Sequence, residues 1–147
     1  MKKWTIAAFG VMLVFAMPAR KPAKQFLNPD GLPQPTGYTQ VVSARSGRMV
    51  FLSGQGGSAG GRMPADFTTQ AENTFQNIGR CLAAAGAKFD DVVKINYYVT
   101  DLSNTQELRR VRAQYLNQQN PPAATLVQAG LGRGLLLEVE AIAIVGE

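Results

Sequence analysis

The chain has no histidine and a single cysteine, Cys81. The first absence removes Ser-His-Asp and Cys-His catalysis, imidazole general bases and His-ligated zinc. The second removes intrachain disulfides and cysteine-cluster metal sites. Charged residues are also sparse, at 17%, against 46% apolar residues. That balance excludes intrinsic disorder, and 147 residues suffice for one domain with its own core.

Long hydrophobic runs are absent apart from residues 6–17, which carry no charge. This run is shorter than the about 20 residues of a typical membrane span. It follows the basic head Lys2-Lys3 and precedes Pro18-Ala19-Arg20. Basic head, apolar centre and small-residue exit are the layout of a cleaved export signal, here residues 1–19, with cleavage after Ala16 or Ala19. The protein is then exported, and periplasmic in a bacterium, with no membrane association once the signal is gone. If the segment is left uncleaved it serves as an anchor, and if translation instead starts at Met17 the protein stays in the cytoplasm. Losing Lys2 and Lys3 lowers the net charge from +5 to +3 (5 − 2). No nucleic-acid partner is expected at that charge.

Residues 20–37 contain Pro22, Pro29, Pro33 and Pro35 and read as an extended arm, with Phe26-Leu27 docking as a short edge strand. Residues 38–43 and 49–53 read as a hairpin about the turn at 44–48. Residues 54–61 (GQGGSAGG) read as a mobile loop, not a phosphate-binding loop, because no Gly-Lys-Ser/Thr follows. Apolar residues at Phe67, Ala71, Phe75, Ile78, Leu82 and Ala85 recur in steps of three and four and predict a helix over 67–85. Asp66 is its N-cap and Gly86 its stop. Cys81 lies within it as a small packing residue. Residues 92–99 are rich in β-branched and aromatic side chains and predict a strand. A second helix should start at Asp101–Ser103, run to about Asn117 and bury Leu108, Val111, Tyr115 and Leu116. Its Arg109, Arg110 and Arg112 read as a solvated face.

Residues 121–144, PPAATLVQAGLGRGLLLEVEAIAI, hold two apolar strand-like runs, 123–129 and 135–144, joined by a Gly-rich turn. Alternation along the second run places Glu138 and Glu140 on the face of Leu136, Ile142 and Ile144. A carboxylate among apolar side chains needs a partner or a wet pocket, so both glutamates are candidate functional residues. The element order is ββ–α–β–α–ββ, an α+β single domain with a mixed sheet and two helices on one face. The final strands are apolar on both faces, and burial against other copies of the chain is the simplest cover for the second face.

Several short segments, in order, resemble one known family. They are Gly31-Leu32-Pro33, Gly37-Tyr38, residues 50–55 (VFLSGQ), Gln70-Ala71 with Asn77, Ala84-Ala85-Gly86, residues 91–94 (DVVK), Thr100-Asp101-Leu102, residues 121–125 (PPAAT) and Glu138-Val139-Glu140-Ala141. Together they are similar to the RidA/YjgF family, also called L-PSP or reactive-intermediate deaminases, over residues 26–144. The resemblance implies a chorismate-mutase-like α+β fold and a homotrimer with a central β-barrel. It also implies small-molecule clefts between subunits. Active members hydrolyse imines or enamines to 2-oxo acids and ammonia, which needs substrate positioning, one oriented water and a nearby proton acceptor, so the resemblance implies no metal and no cofactor. Matched to the family pattern, Tyr38, Ser53 and Gly54 line the cleft, Ala124 and Thr125 form its wall, and Glu138 orients the water. Asn96 and Tyr98 are candidates for the same region.

One departure stands out. Deaminating members carry an Arg after Pro-Ala that grips the substrate carboxylate as a bidentate fork. Here that position is Ala124, and Leu126 stands where some members have Cys. The change predicts altered or weakened activity on 2-imino acids and a less cationic, more apolar cleft. Arg133, in the following turn, is the other cation near this position. Three readings follow, in this order: an imine or enamine hydrolase of altered specificity, a non-catalytic metabolite-binding trimer, and an RNA-binding or RNA-cleaving relative. The signal reading is checked by intact mass: soluble protein from a secreting host should lack residues 1–16 or 1–19. Retained Met1 on soluble protein contradicts it.

Overall fold

The computed structural model describes residues 24–45, 47–132 and 134–146. The export-signal segment and Arg133 lie outside the described residues. The chain builds β1 (Lys24–Leu27), β2 (Val41–Ala44), β3 (Arg48–Gly56), α1 (Phe67–Ala84), β4 (Val92–Val99), α2 (Thr105–Arg112), β5 (Ala123–Gln128) and β6 (Leu137–Val145). It is an α+β fold: β3, β6, β4 and β5 form one mixed sheet in that order, and β1 pairs with β2 in a small separate sheet.

One pairing differs from expectation. The 38–53 region is not a paired hairpin, because β2 pairs with β1 and β3 pairs with β6. The final two strands are not neighbours. Strand β6 lies between β3 and β4, antiparallel to both, while β5 runs parallel to β4 on its other side. Parallel neighbours need a crossover, and α2 supplies it between β4 and β5. The Gly-rich segment after β5 then crosses the end of β4, held by Ala129 N–H donating to Val99 O (2.9 Å) and Thr100 N–H to Leu136 O (3.2 Å).

Side-chain alternation divides the sheet. Leu137, Val139, Ala141 and Ala143 of β6, with Ile95, Tyr97 and Val99 of β4, are buried against the helices. Phe75 stands at the centre, stacked on Tyr115 with ring centroids 5.1 Å apart. The α1 helix is capped as the sequence predicts: Asp66 Oδ1 accepts from Thr69 N–H (2.8 Å), and Gly86 takes the left-handed conformation at φ 64°. Helix α2 ends at Arg112, earlier than expected. Tyr115 and Leu116 pack from the turn that follows. The 54–61 segment is not loose. Asn77 Nδ2 donates to Gly56 O (2.9 Å) and Ser58 O (3.1 Å), and Asn73 Nδ2 to Gly57 O (3.0 Å). A side chain at Gly57 would collide with the Gln70 backbone, so glycine there permits close packing on α1.

Gln70 is the polar pin of the core. It is fully buried, donates to Pro64 O (2.7 Å) and Gly134 O (2.9 Å), and accepts from Leu136 N–H (2.8 Å). One amide thus ties α1 to the segment that leads into β6. Gln70→Ala strands those backbone groups in an apolar interior. It should destabilise the fold by about 2–4 kcal/mol, read from the urea midpoint at fixed protein concentration.

Candidate functional site

The face of the sheet turned away from the helices is open in the single chain. Phe51 is 70% exposed and Met49 54%. On β6 this face carries Glu138, Glu140, Ile142 and Ile144, each half-buried, as the strand alternation requires.

The two glutamates differ. Glu140 Oε1 accepts from Asn96 Nδ2 (2.8 Å) and the Tyr98 hydroxyl (2.9 Å), both on β4. Those bonds, Asn96 first, hold its carboxyl below the ordinary value, and in return the Tyr98 hydroxyl is raised by its bond to Glu140. Glu140 is therefore a hydrogen-bonded residue of its own chain. Asn96 and Tyr98 serve it and face the open sheet, not the Tyr38 pocket.

Glu138 accepts no side-chain hydrogen bond among the described residues. It lies against Gly54, where any Cβ would overlap its carboxylate. The pairing register slips at this point, Leu52 opposite Ala141 but Gln55 opposite Val139. Ser53 and Gly54 thus form a bulge beside the glutamate, a device that re-aims side chains at sheet rims and binding sites.

Tyr38, Ala124 and Thr125 converge elsewhere. They line a pocket of about 290 Å³ between the arm, α2 and β5, floored by Leu108 and Leu126. The six residues singled out by sequence thus fall into two groups within one chain: Ser53, Gly54 and Glu138 at the bulge, and Tyr38, Ala124 and Thr125 in the pocket. Ser53 lines a second cavity on the open face, of about 270 Å³, with Lys94, Asn96 and Glu140.

The loss of an Arg at Ala124 does not leave this pocket without cations. Arg109 and Arg112 line the pocket beside Ala124. Nor are the arginines of α2 one solvated face. Arg110 points elsewhere, donating from Nε and Nη2 to Glu107 (2.9 and 2.7 Å). Arg112 donates to Thr36 O (3.0 Å) and sits 5.7 Å from the centre of the Tyr97 ring. The signal was available: residues three apart on a helix share a face, so Arg109 and Arg112 go together and Arg110 does not. Among the described residues, no group of three or more His, Cys, Asp or Glu is placed to hold a metal ion.

Fold and site thus define a small α+β domain with a ligand-sized pocket at the sheet edge and a carboxylate held against a glycine bulge. The chain belongs to the family described as Endoribonuclease L-PSP, the RidA/YjgF family, whose model matches residues 32–145. It is 33% identical over 129 residues to Protein DfrA of Myxococcus xanthus, covering 85% of this chain and 98% of that protein. It is 32% identical over 112 residues to the 2-iminobutanoate/2-iminopropanoate deaminase of Mus musculus, covering 74% and 82%. Among solved structures, RidA from an Antarctic Psychrobacter superposes with a TM-score of 0.64 at 34% identity, covering 82% of this chain and 99% of that one.

The Glu140 network predicts a pH signature. A carboxyl lowered by folding contributes stability that is complete above its ordinary value of 4.5 and lost as pH falls through the lower folded value. Glu140→Gln should therefore be less stable than the parent near neutrality. The gap between their urea midpoints should narrow below about pH 4.

Proposed function

We propose that the protein is a homotrimeric hydrolase of small imines or enamines derived from 2-oxo acids, with specificity altered at Ala124. The observation that carries this reading is the Glu138 carboxylate held at the Ser53-Gly54 bulge, free of the bonds that occupy Glu140. In the reaction, Glu138 accepts a proton from water as the oxygen attacks the C=N carbon. The carbinolamine formed then loses ammonia, its nitrogen taking up protons, and the C=O of the 2-oxo acid remains. An imine carbon is already electrophilic, so orienting the water and holding the substrate suffice.

The trimer supplies what one chain lacks. A neighbouring copy covers the apolar open face and brings its own bulge toward the Tyr38 pocket, so that the two groups of residues meet in an intersubunit cleft. The deaminase name of the mouse relative, at 32% identity, supports the reaction class. The second reading, a binding-only trimer, is favoured by Ala124, which removes the clamp found in deaminating members. An RNA substrate fits less well, because the paired arginines face a small-molecule-sized pocket. Export of the chain after loss of residues 1–19 belongs to the same proposal.

The test is ammonia release from 2-iminobutanoate generated in situ. The parent should accelerate it, and Glu138→Gln should lower kcat by about 10²–10⁴-fold while ligand binding stays near the parent value. A parent rate equal to the uncatalysed rate selects the binding-only reading.

A further inference from the structure

The pocket beside Ala124 has a charge pattern that its residues do not satisfy among themselves. Arg109 and Arg112 both line it, and no carboxylate does. Glu107, the acid of the same helix, is bound to Arg110 and to Thr68. Arg109 makes no ion pair or side-chain hydrogen bond among the described residues.

A second observation points the same way. Tyr97, on β4 at the pocket wall, is 1% exposed, and its hydroxyl is buried without a hydrogen-bond partner. Buried hydroxyls are nearly always paired, so an unpaired one at a pocket marks a place for a ligand atom. Burial pushes this phenol up to about 12, with Arg112 pulling the other way, so it keeps its proton and acts as a donor. Arg112 lies close to it without completing a well-formed bond. Gly37, at φ 70°, leaves the space the Arg112 guanidinium occupies, and any Cβ there would strike it.

We propose that Arg109 and Arg112 of α2 are the carboxylate clamp of this pocket, replacing from the helix side the guanidinium that Ala124 omits from β5. Arg109 is exposed and Arg112 half-buried, and with the Tyr97 hydroxyl their guanidiniums provide the donors, a carboxylate being held by paired N–H groups. Leu108 and Leu126 give the adjoining space an apolar lining, which suits a short alkyl chain. The ligand class is a small acid with a carboxylate next to a carbonyl or imine; that choice rests on the function proposed above, whereas the anion site rests on the pocket alone. Ala124 then makes room for the arginines opposite, and a third guanidinium at that position would meet two like charges.

The test is calorimetric binding of 2-oxobutanoate, a stable oxo analogue, to the full chain. Arg109→Gln should weaken binding at least about tenfold, whereas Arg110→Gln, which changes a residue held by Glu107, should bind as the parent does. Because Arg112 also anchors Thr36, its conservative Arg112→Lys variant is used, and it should bind less tightly because a single ammonium cannot form the fork. Ala124→Arg should not improve binding. No binding by the parent, unchanged binding by Arg109→Gln, or tighter binding by Ala124→Arg would each overturn the proposal. Arginine-dependent binding without ammonia release leaves the clamp standing and removes the hydrolase reading instead.

Discussion

Strand β6 carries the constraint on which the rest of the molecule depends. It lies between β3 and β4 and must be covered on both faces. Its odd-numbered side chains, Leu137 to Ala143, are buried under the helices. Its even-numbered ones, Glu138, Glu140, Ile142 and Ile144, share a face the single chain leaves half-open. A sheet can carry apolar side chains on such a face only if another surface covers them. Its two carboxylates settle their own desolvation differently. Glu140 is bonded by Asn96 and Tyr98, and Glu138 is set against a glycine. The division of labour between the glutamates follows from which neighbours β4 and β3 present to each.

The neighbouring strands serve the same arrangement. Burying Ile95, Tyr97 and Val99 turns Asn96 and Tyr98 toward Glu140. The slip between Leu52 and Gln55 places Gly54 beside Glu138. The β4–α2–β5 crossover brings Arg109 and Arg112 over the start of β5, where Ala124 lies. Gln70 fixes the approach of the chain into β6 from behind.

Much of this was legible in the sequence. The periodicity of Phe67, Ala71, Phe75, Ile78 and Leu82 located α1 with both its stops, and residues 92–99 matched β4 end to end. Placement of Glu138 and Glu140 on one face followed from alternation alone. Strand partners were not legible, because adjacency along the chain favours hairpins, whereas here β6 inserts between β3 and β4 through contacts distant in sequence. The Gly-rich 54–61 segment read as loose because composition does not reveal the Asn73 and Asn77 amides that pin it. The pocket's cations were missed because three arginines were read as a charge cluster, when helical spacing separates Arg110 from the other two. Tyr97 was hidden because a core aromatic and a pocket-wall donor look alike until the hydroxyl is seen without a partner.

The central claim is that the open face of β6 is covered by further copies of the chain, which also complete the cleft. Light scattering coupled to size-exclusion chromatography at micromolar protein tests it most directly. The account predicts a mass three times that of the purified chain, unchanged on dilution to about 1 μM, as expected of a large apolar interface. A species with the mass of one chain, at most 15.8 kDa, would contradict it.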